Sequence, residues 1–153
     1  MPKITINGTA ASEVIRVPNH VDVVVNAYGG NDTIYGGFDC REEIHVDDGD
    51  NIAFAGYEGV DTFYSGSGTN KFIFASWSQS PNQGGRRATI HGFKSNDLIE
   101  IFWATAETCS ISWNAIQGGK GWRIFWDYTG EGPIGNAPGF DMSVDVFGVE
   151  PAM

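Results

Sequence analysis

Between residues 27 and 74 the chain repeats a short cadence. An acidic or amide residue is followed, after one intervening position, by a large apolar one. The pairs are Asp32 with Ile34, Glu42 with Ile44, Asp50 with Ile52, Asp61 with Phe63, and Asn70 with Phe72. Their leading residues advance by 10, 8, 11 and 9 positions. Glycines precede most of them: Gly29, Gly30, Gly36, Gly37, Gly49, Gly56, Gly59, Gly66 and Gly68. A period of about nine is too short for a helical repeat and fits a turn followed by a short strand. Two such units make one coil of about 18 residues, with strands on opposite walls and the apolar residues stacked inward. On that count Asp32, Asp50 and then Asn70 fall in one column of turns. Glu42 and Asp61, 19 apart, fall in the other. Glycine supplies the positive φ angles that tight turns need.

The flanks extend the pattern. Val14, Val23 and Thr33 advance by 9 and 10, and the runs 14–17 and 21–25 are β-branched, so residues 3–26 read as glycine-poor coils capping one end of the stack. Residues 76–87 read as a polar loop that ends it. Beyond lie four strands expected to pair antiparallel, at 98–103, 109–116, 122–128 and 142–149, with Gln117–Gly121 as a hairpin connection. A Gly/Pro-rich loop at 129–139 is long enough to carry binding residues. The expected fold is all-β: a parallel β-roll, or β-solenoid, of half-coils near nine residues, closed by a C-terminal antiparallel region. Its parts are residues 1–26, 27–75 and 76–153.

The segment Gly30-Asn31-Asp32-Thr33-Ile34-Tyr35-Gly36-Gly37, with Gly59-Val60-Asp61-Thr62-Phe63, resembles the haemolysin-type calcium-binding (RTX) nonapeptide repeat, G-G-x-G-x-D-x-U-x. The other units are degraded: Glu42 and Asn70 replace the Asp, and Asp39 and Asp48 stand where Gly is expected. Ile90, Phe93, Asp97, Ile99 and Ile101 resemble a segment that follows such repeats and closes the roll. The resemblance implies Ca²⁺ between neighbouring turns, with Gly30, Asp32, Asp39, Asp48, Asp50, Gly59 and Asp61 as metal residues. It also implies export by a leaderless, one-step route, with the cytoplasm as the alternative location.

Residue chemistry bears on the same point. Ca²⁺ takes six to eight hard oxygens, which carboxylates and turn carbonyls supply. Asp32, Asp47, Asp48 and Asp50 form one group; Asp39, Glu42 or Glu43, and Asp61 form the other. The alternative is that these are solvated turn residues needing no metal. Zinc is disfavoured, because Cys40 and His45 lack a second pair of soft ligands nearby. Cys40 and Cys109 either pair or stay as thiols.

The formal charge of −10 argues against nucleic acid, which needs a basic face. It suits divalent cations, which reduce self-repulsion. No run is long enough to span a membrane as a helix. Trp77, Trp103 and Trp126 are candidate platforms for a glycan or other cell-surface ligand, although alternation assigns most of the tryptophans to core. No nucleophile elbow, zinc-protease motif or P-loop occurs. The leading reading is therefore a calcium-stabilised, exported binding or structural module. The alternative is a small lyase, isomerase or cyclase using Asp127, Tyr128 and Glu131. Excess EGTA is expected to lower the melting temperature. Circular dichroism in EGTA should still show a partly ordered chain, because the apolar coils at 3–26 and the later strands do not depend on the ion.

Overall fold

The structure, a computed structural model, describes residues 3–75, 87–102, 109–115, 121–128 and 142–148. Strands alternate inward and outward side chains, and the alternation here is strict. In β1 (Lys3–Asn7), β2 (Val14–Arg16), β3 (Asp22–Asn26), β4 (Thr33–Tyr35), β5 (Phe38–His45, from Cys40 on) and β6 (Ile52–Phe54), every second residue turns to the core. Those in β2 to β6 are buried: Ile15, Val23, Val25, Ile34, Cys40, Glu42, Ile44 and Ala53. The chain continues through β7 (Tyr57–Tyr64), β8 (Lys71–Ala75), β9 (Arg87–Phe93) and β10 (Leu98–Phe102). It ends with β11 (Cys109–Ala115), β12 (Gly121–Tyr128) and β13 (Met142–Gly148). The protein is all-β, with no helix among the described residues.

Successive strands fall in different sheets. The odd-numbered strands β1 to β9 lie side by side, in chain order, in an eight-stranded sheet, and β2 to β10 do so in a five-stranded one. Within both, neighbours from β1 to β10 pair parallel. A parallel neighbour must be reached by a crossover, and here the crossover is the intervening strand of the other sheet. The sheets share one apolar core. Phe63 on the larger sheet meets Phe72 and Phe74 on the smaller one, ring centroids 5.4 and 6.0 Å apart. On the outer face of the larger sheet the rings of His45, Tyr64, His91 and Phe147 stack in file at 4.5 to 5.2 Å.

The repeat is 19 residues, not 18. Lys3 pairs with Asp22, Val23 with Glu42, Glu42 with Asp61, and in the other sheet Val14 with Thr33 and Thr33 with Ile52. Asn51 is therefore level with Asp32, and Asp50 is level with Asn31. The inward residue of that unit is Ala53, in file with Ile34 and Phe72, while Ile52 faces outward and half-buried. A one-residue slip exchanges the faces of a strand, so the buried neighbours fix the register. Glu42 and Asp61 do share a column, but both lie within strands, as does Gly59.

Parallel pairing also continues beyond residue 86. From β7 to β9, and from β8 to β10, the step widens to 27, as in Asp61 with Ala88 and Lys71 with Leu98. The stack does not end at Ser76, and residues 98–102 pair parallel with β8 rather than antiparallel. The antiparallel expectation holds for β11 with β12 and for β12 with β13, and β13 joins β9 in parallel. Replacing Phe63 by Ala, at the contact between the sheets, is expected to cost about 3–5 kcal/mol, read from urea unfolding.

Candidate cation site

The turns entering the smaller sheet stack directly on one another. They are residues 8–13, 27–32, 46–51, 65–70 and 94–97. The backbone conformation repeats: Tyr28 and Asp47 have φ of 66° and 46°, and Gly30, Gly49 and Gly68 have φ of 91°, 98° and 78°. The approach is close. A Cβ on Gly49 would lie 1.9 Å from the Gly30 carbonyl oxygen, and one on Gly68 would lie 2.2 Å from that of Gly49. Only glycine meets both conditions.

Polar groups on the inner side of the turns are largely shut off from water, so they must bond across the step, and those on the exposed outer side bond across it as well. Two opposed ladders do this. In the inner one the backbone N–H of each residue donates to the side chain one turn later: Glu13 to Asp32 Oδ1 (2.8 Å), Asp32 to Asn51 Oδ1 (2.8 Å), Asn51 to Asn70 Oδ1 (3.2 Å), and Asn70 to Asp97 Oδ1 (2.9 Å). In the outer one each N–H donates to the side chain one turn earlier: Asn31 to Ser12, Asp50 to Asn31, and Thr69 to Asp50 (2.7 Å).

The second polar atom of each inner residue distinguishes the turns. Asn51 Nδ2 donates to the carbonyls of Val46, Asp48 and Gly49 at 2.6, 3.3 and 3.2 Å. Asn70 Nδ2 donates to Ser65 Oγ and the Ser67 carbonyl. Asp97 Oδ2 accepts from Ser65 Oγ, the Lys94 backbone N–H and the Lys94 ammonium. Asp32 is only 1% exposed, yet its Oδ2 has no hydrogen-bond partner among the described residues. By register, the carbonyls of Ala27, Gly29 and Gly30 occupy the places of those that Asn51 satisfies. Glu13 adds a second acid. The Ala27 carbonyl oxygen and Glu13 Oε2 each lie 2.8 Å from the point where a side chain on Gly8 would begin. Glu13 Oε2 accepts the Thr9 N–H at 2.6 Å.

Burial pushes the Asp32 carboxyl above its usual range. The Glu13 N–H pulls it partly back, and the Glu13 carboxylate pushes it up again. Oxygens thus outnumber donors at this turn, which suits a hard cation. Among the described residues no three His, Cys, Asp or Glu side chains gather to hold a metal, so any ion here must draw on backbone carbonyls and water.

The other residues singled out from the sequence are dispersed. Asp48 and Asp50 are exposed and accept from Ser67 Oγ and the Thr69 N–H. Asp47 accepts the Tyr28 N–H. Asp39 is exposed, at φ 51°, 3.5 Å from His20 Nδ1. Glu43 is 2.9 Å from His45. Glu42 and Asp61 are buried side by side in the larger sheet. Glu42 Oε1 accepts from Gly37 N–H and Cys40 Sγ, and its Oε2 has no partner among the described residues. Cys40 faces inward and His45 outward, which separates them as zinc ligands. Cys109 lies five strands from Cys40 in the same sheet, about 24 Å at the usual strand spacing and far beyond disulfide reach. Trp77, Trp103 and Glu131 lie outside the described residues. Asp127, Tyr128 and Trp126 are described only as backbone in β12, level with Ser110, Cys109 and Ile111.

Sequence reasoning missed Glu13 and Lys94. Counting back 19 from Asp32 reaches the first, and the widened step of 27 hides the second. A buried acid whose pKa is raised stabilises the fold fully only below the ordinary value of 3.8, and that contribution is lost as pH rises through the raised value. In chelator, Asp32→Asn should therefore raise stability at neutral pH by about 1–3 kcal/mol and flatten its decline from acid to neutral pH. Urea unfolding across that range is the check.

Comparison with protein-family models, with curated proteins and with solved structures returns no match for this chain.

Proposed function

We propose that this chain is a calcium-binding parallel β-roll of the haemolysin type, exported and acting as a binding or structural module at carbohydrate or other cell-surface material. The 19-residue register and the alternation of strands between two sheets support the roll. One observation carries the calcium reading: Asp32 presents a buried, unpartnered oxygen where Asn51 and Asn70 place amide donors. A buried acceptor in that condition costs about 1–3 kcal/mol, and a cation removes the cost.

The ligands in this reading are Asp32 Oδ2, the Glu13 carboxylate and the carbonyls of the 27–30 turn, completed by water. Calcium suits such a set because it accepts neutral carbonyls and irregular geometry, whereas zinc prefers nitrogen and sulfur. The reading departs from a fully loaded stack of repeats. Where an amide already satisfies the turn carbonyls, an ion has no place, so the module holds its calcium near the N-terminal end, against the expectation that residues 3–26 do not depend on the ion, and the middle turns stand without it. Asp48 and Asp50 act as ladder acceptors. The surface partner rests on the resemblance and on the tryptophan-rich C-terminal part of the chain.

Titration with calcium chloride by calorimetry should give one tight ion per chain. Saturation a hundredfold above Kd should stabilise the fold by about 2.7 kcal/mol. Asp32→Asn should abolish both effects, and Asp48→Asn with Asp50→Asn should leave them unchanged. Undiminished calcium binding by Asp32→Asn, or none by the wild type, would end the proposal.

A further inference from the structure

We infer that Lys94 is a tethered cation: its ammonium holds, between the last two turns of the column, a position that a calcium ion takes once the lysine is removed. The inference deepens the proposed function and relies on it only for the identity of the ion.

Three acids stand in the inner column, at Glu13, Asp32 and Asp97, with amides at Asn51 and Asn70 between them. Asp97 resembles Asp32 in its setting. It is 1% exposed, it accepts the N–H of the turn before through Oδ1, and its Oδ2 points into a turn rich in oxygen. The difference is Lys94. Its ammonium donates to Ser65 Oγ at 3.0 Å, to Asp97 Oδ2 at 3.1 Å and to the Gly66 carbonyl. A carboxylate, a backbone carbonyl and a hydroxyl, drawn from two successive turns, thus converge on one positive charge. These are calcium ligand types.

Geometry favours a replaceable occupant. The Lys94 side chain is 34% exposed while that of Asp97 is fully buried. The ammonium therefore plugs the mouth of the turn, and water can complete the shell of an ion in its place. Register assigns the lysine position to Ser67, Asp48, Gly29 and Ala10 in the earlier turns. None of these carries a cation. Glu13 and Asp32 therefore lack the internal counter-charge that Asp97 has.

The test uses the full chain. Wild type and Lys94→Met are titrated with calcium chloride after EGTA treatment, with circular dichroism recorded alongside. The expected count rises from one ion per chain to two. If wild type binds none and the variant binds one, the Lys94 inference stands and the Asp32 reading falls. If the folded variant binds no more than wild type, the inference is overturned. A variant unfolded in EGTA but restored by calcium supports it; one unfolded in both overturns it. In Lys94→Met with Asp97→Asn, the column gains a third amide, so the chain should fold without the ion and lose the extra site. Retention of that site in the double variant would refute the assignment of Asp97 as its ligand.

Discussion

Close backbone approach between successive turns governs this molecule. Three successive turns lie so near the one before that glycine stands at the contact, at Gly30, Gly49 and Gly68, as with Gly49 against the Gly30 carbonyl. Inner groups caught in the contact cannot reach water and must bond from turn to turn, and the exposed outer groups add a second set. The inner and outer ladders are the result, and their opposite polarity has a mechanical consequence. The N–H of Asp32 reaches forward to Asn51 while the neighbouring N–H of Asn31 reaches back to Ser12. A slip of one turn against the next breaks both sets at once. Register is thus held at the turns as well as by the Phe63, Phe72 and Phe74 rings between the sheets.

The same confinement decides what a buried polar side chain can be. An amide offers an acceptor to the backbone N–H on one side and a donor to the turn carbonyls on the other, so Asn51 and Asn70 are self-sufficient. A carboxylate offers acceptors only. Asp97 meets this limit with the Lys94 ammonium. Asp32 faces carbonyl oxygens with another acid, Glu13, beside it; burial first, and the Glu13 carboxylate after it, raise its proton affinity. In a chain of formal charge −10, a proton or a metal ion is the natural relief, and the proposed calcium site is the second of these.

Much of the architecture was legible in the sequence because strand parity and glycine turns leave strong local marks. The β-branched runs 14–17 and 21–25 announced β2 and β3, and Glu42 and Asp61 were rightly set in one column. The column of Asp32 was misplaced because Asp50 and Asn51 are adjacent and both polar, so composition does not say which one faces in. Burial of Ala53 decides it, and alanine is too small to advertise a core position beside Ile52. The Asp61 motif looked like a turn because Gly59 precedes it, yet both residues lie inside β7, where inward parity, not a bend, gives the carboxylate its place. Continuation of the stack into β9 and β10 was hidden by eight extra residues in one crossover, which break the period without breaking the register.

Acid and amide in such a column are not interchangeable polar residues. Asparagine closes the contact from within, whatever the surroundings. Aspartate closes it only with something brought from outside the peptide backbone: a proton, an ion, or a lysine from the same chain. The order Glu13, Asp32, Asn51, Asn70, Asp97 therefore reads as a sequence of boundary conditions. The middle of the stack is independent of the medium, the Asp97 end carries its own counter-charge, and the Asp32 end answers to what the solution supplies. Any ion that stiffens the stack from that end acts through the Glu13 and Asp32 backbone N–H groups, since these tie the first three turns together. Within this column of turns, that end is the one farthest from β11 to β13.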